Sequence, residues 1–253
     1  MPLHFLLTKP DGALLDAPAT SRPGDAVVLT GAEAHHASAV RRVRVGEEVT
    51  VGDGRGTWLH GECESVSPRE VVVRILGRED IPEPRPRVVL VQALAKGDRD
   101  ELAVQAATEL GVDEIVPWQA ARSVSRWDAA KAVKGRARWT TIVREAAKQA
   151  HRAWVPEVAE LTTTSVLVRR AAASRVLVLE PTAAEPLSAL AVEPGDDRDV
   201  VLVVGPEGGI APDELDALAG AGALLVKLGD TVLRTSTAGP AALAVVSTAL
   251  ARW

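Results

Sequence analysis

Two glycine-bearing loops near the C-terminus hold the residue types best suited to chemistry. The first lies in VVLVVGPEGGIAPDEL, residues 200–215, where an apolar run passes through Gly205, Pro206, Glu207, Gly208 and Gly209 into a helix start. Glycines there give the backbone access to positive φ and to close approach of a ligand. The free N–H groups of the turn, and of the helix beginning near Pro212, can hold polar groups. The spacing G-x-x-G-G is neither the dinucleotide fingerprint nor the phosphate-binding loop, so this turn alone is equally well read as a tight connection. The second loop lies in VKLGDTVLRTSTAGPAAL, residues 226–243. A strand ends at Leu228, Gly229 turns the chain, Val232 and Leu233 place aliphatic groups in the loop, and Arg234 precedes the hydroxyls of Thr235, Ser236 and Thr237 that open the last helix. The plain alternative is Leu233 in a core and Arg234 on a surface acid. Two successive strand–loop–helix junctions favour one shared pocket at the carboxyl ends of their strands.

The elements that must position these loops alternate. RVVLVQAL (87–94), RVLVLE (175–180) and DVVLVVG (199–205) are continuous apolar runs, as expected of strands buried on both faces. DEIVPWQ (113–119) and ALLVKLG (223–229) are strand-like. Helices are expected over 98–110, stopped by Gly111, over 129–150, from Pro212 with Asp213 and Glu214 in its first turn, and over 237–251. Alternating β and α implies an α/β domain with a mainly parallel sheet covered on both sides. Before it, DAVVLT, EEVTVGDG, TWLHGECESV and EVVVRIL within residues 1–80 have the rhythm of a small β-barrel, interrupted by one helix over 32–43. Between the two lies IPEPRPR (81–87), with three prolines in seven residues, which fits neither helix nor interior strand. The expected domains are therefore 1–80, a linker 81–87, and 88–253.

Composition narrows the class. In 253 residues, 47% are apolar and 25% charged, with one Phe, no Tyr and six Trp, so small aliphatic groups must build the cores. Trp58, Trp127, Trp139 and Trp154 are read as core or interface anchors. Cys63 is the single cysteine, which excludes an internal disulfide and a multi-cysteine zinc site, and suits a reducing cytoplasm. No apolar run nears the ~20 residues that span a bilayer, and the N-terminus lacks a signal-peptide pattern, so a cytoplasmic protein without a membrane partner is expected. No His spacing suits a metal, and none is expected. Net charge is −5, but residues 122–152 hold nine Lys/Arg against two acids, and residues 180–216 hold ten acids against one Arg. A polyanion responds to the local patch rather than to the sum; the alternative is a solvated helix face.

Taken with the two loops, further blocks complete a pattern. EAHHASAVRRVRVGEEVTVGDGRG (33–56), KGDRDELAVQAATELGV (96–112), PWQAARSVSRW (117–127), RWTTIVREAAKQAHRAWVPEV (138–158), GPEGG and LGDTVLRTSTA occur in order. Together they closely resemble the 16S ribosomal RNA uridine-N3 methyltransferase family, RsmE, of the SPOUT superfamily, over nearly the whole chain. The resemblance implies an N-terminal PUA-like RNA-binding domain and a C-terminal SPOUT domain with a deep trefoil knot. It implies a homodimer, S-adenosyl-L-methionine as cofactor, and methylation of one uridine in the 16S rRNA of the small ribosomal subunit. Cofactor contacts carry over to Leu179, Glu180, Gly205, Pro206, Glu207, Gly208, Gly209, Leu228, Gly229, Val232, Leu233, Arg234 and Thr237. The chain departs from the family at Ser236 and Lys148, where many relatives have an acid, and at Ala120, where many have an acid before Arg122.

Methyl transfer to uridine N3 requires that its proton leave, which spreads negative charge over O2 and O4. A cation or fixed N–H donors near those oxygens would stabilise the transition state. Arg234 is the first candidate. Glu207 is a candidate base, though holding the GPEGG turn or the cofactor is its favoured role. Arg144 and Glu145 are placed to reach across a dimer interface. Phosphate contacts are expected from Arg41, Arg42, Arg44, Arg122, Arg126 and Arg144. His36, beside His35, is read as structural or solvent-facing, with stacking on an unpaired base as the alternative. Two other functions fit the chain less well: an RNA-binding or ribosome-assembly factor without catalysis, and a SPOUT enzyme acting on transfer RNA or ribose 2′-OH.

Overall fold

The computed structural model describes residues 2–9, 12–17, 21–193 and 195–253. The chain forms two compact units, one comprising residues 1–83 and 147–155, the other residues 84–146 and 156–253.

In the first unit, β1 (Leu3–Leu6), β2 (Ala26–Thr30), β3 (Glu48–Gly52), β4 (Thr57–Val66) and β5 (Glu70–Asp80) make one sheet in the order β1-β3-β4-β5-β2. Pairing is antiparallel except for β1 with β3, which run parallel. β1 had no sequence signal of its own. Among the described residues β1 and β2 remain edge strands, so the expected barrel is not closed by hydrogen bonds. Alternate residues face inward, as the period of a strand requires: Val27 and Leu29, Leu59 and Cys63, and Val71, Val73 and Ile75 share a core with Phe5, Ala34 and Ala37. The expected helix over 32–43 is shorter and of two kinds. α1 (Gly31–His35) passes into a π-helical turn at His36–Val40.

Residues 147–155 complete this unit. Arg55 bridges to Trp154, Gly56 N–H donates to Ala153 O at 3.0 Å, and the Trp154 indole donates to Ile81 O at 2.8 Å. His4 stacks on Trp58 with ring centroids 4.1 Å apart, and its burial pushes its pKa down to about 3. Lys148 Nζ donates to Glu33 Oε1 at 2.8 Å, with both side chains only 6% exposed. That pairing accounts for the basic residue at 148, since an acid there would put two carboxylates together without water. Such a pair adds little net stability, but breaking it strands a buried charge. Lys148→Met is therefore expected to lower unfolding free energy by about 3–5 kcal/mol in urea titration, and Lys148→Met with Glu33→Leu to recover most of it. Equal stability of Lys148→Met and the parent chain would show that the pair is dispensable.

The second unit opens with β6 (Val88–Ala93), followed by α2 (Arg99–Glu109), β7 (Glu114–Trp118), α3 (Ala129–Gln149), β8 (Glu157–Val158), α4 (Thr164–Ala171), β9 (Arg175–Leu179), β10 (Glu185–Pro186), β11 (Val200–Val204), α5 (Pro212–Gly220), β12 (Leu224–Lys227) and α6 (Thr235–Ala249). The last three residues of α3 belong to the first unit. The sheet order is β10-β12-β9-β11-β6-β7-β8, and every pairing is parallel. β11 lies between β6 and β9, and all five of its residues are buried. That explains an unbroken Val/Leu run where a half-exposed strand would alternate. Helices α2 and α6 pack together and α6 also rests on β6 and β11, while α4 packs on α5. Trp118 and Trp139 are core residues, and Trp127 meets Trp139 edge-on at 5.4 Å.

Candidate active site

Parallel strands point their carboxyl ends to one side, and the turns leaving them meet there. The carboxyl ends of β9, β11 and β12, with the loop that enters α6, enclose a cavity of about 370 Å³. That is the size of a small-molecule site. Leu179 and Glu180 come from β9 and the turn after it. Gly205, Pro206, Glu207, Gly209 and Ile210 follow β11, and Leu228, Gly229, Val232, Leu233 and Arg234 follow β12. Two of the expected lining residues stand apart. Gly208 packs toward Arg122, where an added Cβ would lie 3.4 Å from the Arg122 Cβ, and Thr237 sits within α6 off the lining.

The glycines of the first loop have different reasons for being there. Gly209 has φ +71°, a conformation L side chains rarely adopt. Gly205 has no positive φ. A Cβ on it would lie 2.6 Å from Ile210 Cγ1, so the close return of Ile210 over the strand end requires its small size. The turn enters α5 with Pro212 at its first position, and the Glu214 carboxylate reaches back to the Ala211 N–H at 3.3 Å. Glu214, 8% exposed, also accepts the Ala121 N–H at 3.0 Å and the Thr164 hydroxyl at 2.6 Å. This one carboxylate ties the loop after β7 to the start of α5. It thereby places Arg122, whose Nη1 donates to Gly208 O at 3.3 Å.

The two loops are joined directly. α6 begins at Thr235, with Arg234 as the flanking cap, so the hydroxyl run starts inside the helix rather than ahead of it. Thr235 is 6% exposed; its hydroxyl donates to Gly205 O at 2.9 Å and accepts from Gln92 Nε2 at 2.9 Å. Gln92, fully buried at the end of β6, also donates to Ala93 O. A helix-capping hydroxyl was expected here; the structure spends it on a tertiary link instead.

Glu207 is likewise committed. Its Oε1 accepts the Lys96 N–H and Arg99 Nη1, both at 3.0 Å. Burial pushes its carboxyl upward, but bonds from its own N–H, from Lys96 and from Arg99 outweigh this and hold it below the usual carboxylate range. The 95–99 turn is itself braced by Asp100, 5% exposed, which accepts the Ala95 N–H at 3.2 Å; burial raises the pKa of Asp100. Arg234 is exposed and has no ion-pair partner among the described residues. Arg99 also lines the cavity, though the sequence marks it only as the start of a helix. The K-G-D-R turn after an apolar strand could have drawn attention to it, because that strand neighbours the first loop's strand in the sheet.

The other basic residues lie on their own elements. In the first unit Arg41, Arg42 and Arg44 are exposed on the segment after the π-helical turn, while His36 is half-buried and meets Phe5 edge-on at 6.3 Å. In the second, Arg122 and Arg126 are exposed and Arg126 Nη2 donates to Ala121 O; Arg144 is half-buried beside Glu145 at 3.6 Å. No cluster of three metal-ligating side chains occurs among the described residues, and none of the described helices is long and apolar enough to cross a membrane.

The RNA methyltransferase domain model matches residues 82–247, and the RNA methyltransferase PUA domain model matches residues 29–76. Ribosomal RNA small subunit methyltransferase E of Mycobacterium bovis is 46% identical over 235 residues, covering 91% of this chain and 89% of its own. The chain belongs to the ribosomal RNA small subunit methyltransferase E family. Solved structures resemble it along most of their length. The enzyme of this family from Neisseria gonorrhoeae, bound to S-adenosyl methionine, superposes with a TM-score of 0.82 at 28% identity over 98% of both chains. A putative methyltransferase from Legionella pneumophila, in complex with SAM, gives 0.81 at 32% identity over 92% of this chain and 95% of its own. As the RNA methyltransferase domain model ends at 247, the cavity, both loops and Arg99 all fall within family territory.

The Thr235 link gives a direct test of how the two loops are held. Thr235→Val leaves Gln92 Nε2 and Gly205 O short of a buried partner. It should cost about 1–3 kcal/mol of unfolding free energy, while Thr235→Ser, which keeps the hydroxyl, should cost markedly less. Equal losses in the two variants would mean that the methyl group and not the hydrogen bonds matters.

Proposed function

We propose that this protein transfers the methyl group of S-adenosyl-L-methionine to N3 of a uridine in 16S rRNA of the small ribosomal subunit, working in the cytoplasm as a homodimer. The observation that carries this reading is the cavity at the carboxyl ends of β9, β11 and β12, formed by the GPEGG and VLRT loops in a chain of the small subunit methyltransferase E family. The trefoil knot implied by the family resemblance belongs to the same proposal, supported by a strand order in which β11 returns between β9 and β6.

The cavity suits the cofactor on its own terms. Leu179, Val204, Ile210, Val226, Leu228 and Leu233 give an apolar wall for a flat base. Gly209 and Gly229, both at positive φ, have open space where a Cβ would project, so their backbone can be approached closely. Leu179, Gly205, Leu228 and Leu233 would hold the adenosine, and Glu180 is placed for its ribose. Bound there, the cofactor supplies an electrophilic methyl group on a sulfonium.

The chain's own groups must position the uracil and accommodate its charge. Arg234 lines the cavity with its guanidinium unpaired among the described residues. It is placed to meet the negative charge that reaches O2 or O4 as the N3 proton departs. Glu207 serves as the holder of the GPEGG turn: an anion already bonded to Lys96 and Arg99 and held below the usual carboxylate range is a weak proton acceptor. Exposed Arg41, Arg42 and Arg44 in the first unit, and Arg122 and Arg126 in the second, supply phosphate contacts whose strength falls with salt.

Small subunits lacking the modification, incubated with tritiated cofactor, should take up label as N3-methyluridine on nucleoside mass mapping. No uptake, or label in another nucleoside or in transfer RNA, would overturn the assignment. Arg234→Ala should reduce turnover about a hundredfold with an unchanged circular dichroism spectrum. Near-parental turnover would remove Arg234 from the mechanism.

A further inference from the structure

The basic stretch 122–152 divides in two. In its second half Arg144 is half-buried beside Glu145, and Lys148 is spent on Glu33 inside the first unit. Residues 122–138 differ: six Lys/Arg stand against one acid, Asp128, and all seven are exposed. Asp128 is used as the cap of α3, its Oδ1 accepting the Lys131 N–H at 2.8 Å, and its Oδ2 lies 4.0 Å from Lys131 Nζ. Arg138 is neutralised by Glu101 of α2, and Arg136 Nε donates to Val158 O. Arg122, Arg126 and Lys134 have no carboxylate partner among the described residues.

These cations are brought together by packing. Trp127 lays the loop after β7 on α3: a Cβ on Gly135 would lie 2.4 Å from its ring, and the ring meets Trp139 edge-on. Lys131, Gly135 and Trp139 are four residues apart and share one face of α3, with Lys134 and Arg138 on the adjoining flank. Arg126, next to Trp127, is therefore held beside the start of α3. The surface borders the cavity at both ends. Arg122 Nη1 donates to Gly208 O of the GPEGG turn, and Glu101, which holds Arg138, lies two residues beyond Arg99 of the lining.

A chain of net charge −5 that gathers uncompensated cations beside its cavity is matched there to a polyanion. A second copy fits poorly, because a two-fold interface would set this patch against itself, cation on cation. Resting on the reading that the cavity methylates RNA, we propose that Arg122, Arg126, Lys131 and Lys134 form one surface that holds the sugar–phosphate backbone of the RNA beside the target uridine. Lys131 and Lys134 are then substrate contacts outside the PUA-like unit, and they act on RNA binding, not on cofactor binding.

Filter binding of the full chain to small subunits lacking the modification, at several salt concentrations, tests this without turnover. Lys131→Gln with Lys134→Gln should raise Kd about tenfold and flatten the slope of log Kd against log salt by about 1–2. Affinity for S-adenosylhomocysteine should stay within twofold. Lys131→Arg with Lys134→Arg should keep the parental Kd and slope. Arg169→Gln, which removes an exposed charge near the end of α4, is the control for net charge and should leave Kd within twofold. Parental Kd and slope in the double Gln variant, or an equal rise from Arg169→Gln, overturns the surface. A change from dimer to monomer in the double Gln variant on sedimentation assigns the face to a second copy and overturns it as well. Salt-dependent binding lost in the double Gln variant, but without methyl transfer to any RNA by the parent chain, overturns the methylation reading and leaves the surface in place.

Discussion

One buried hydroxyl fixes the spacing of the whole site. Thr235 accepts from Gln92 at the end of β6 and donates to the carbonyl of Gly205 at the end of β11, while its own backbone begins α6. Three segments far apart in sequence are thereby set at hydrogen-bond distance from one another. Water does not compete at a residue 6% exposed, so the geometry is held more firmly than a surface bond could hold it. The GPEGG turn and the VLRT loop face each other across a cavity because this hydroxyl, and the close packing of Ile210 on Gly205, leave them little alternative.

Around that fixed spacing the charges divide into held and available. Glu207 and Arg99 hold each other and tie the turn after β6 to the turn after β11. Glu214 does similar work on the other flank, joining the loop that carries Arg122 to α5. Arg234 lines the cavity with its guanidinium unpaired among the described residues. A site that must bind a cofactor of mixed charge and then face a developing anion needs both kinds: paired groups that stay in place, and one cation still able to respond to charge that appears only as a proton leaves. The acid-rich stretch 180–216 thus serves positioning as well as solvation, since Glu207 and Glu214 both spend their carboxylates on N–H groups.

The first unit is stabilised by a different arrangement. Among the described residues its five-stranded sheet keeps two edge strands, and residues 147–155 join the unit through the Arg55–Trp154 bridge and the Gly56–Ala153 and Trp154–Ile81 hydrogen bonds. The buried Lys148–Glu33 pair brings the end of α3 onto α1 in this unit. The basic residue at 148 is thus half of a buried ion pair.

The longer strands, their parallel class in the second unit, the two loops and the family were legible in the sequence. These depend on local patterns: unbroken Val/Leu runs, Gly at a turn, Pro at a helix start, and blocks in a fixed order. It also placed most of the cavity lining, since residues adjacent to a strand's carboxyl end share the turn that follows it. Which residues meet depends on the fold. Gln92 and Thr235 are 143 positions apart, and Glu207 and Arg99 are 108 apart; nothing local records such distances. The same holds for the division of labour among the glycines. Gly209 could be read as a turn residue from its neighbours, but Gly205 is required by a side chain that folds back from Ile210, and Gly208 faces Arg122 rather than the cavity. A π-helical turn and the parallel β1 were also beyond reach, because a short element is held by the sheet it joins more than by its own preferences.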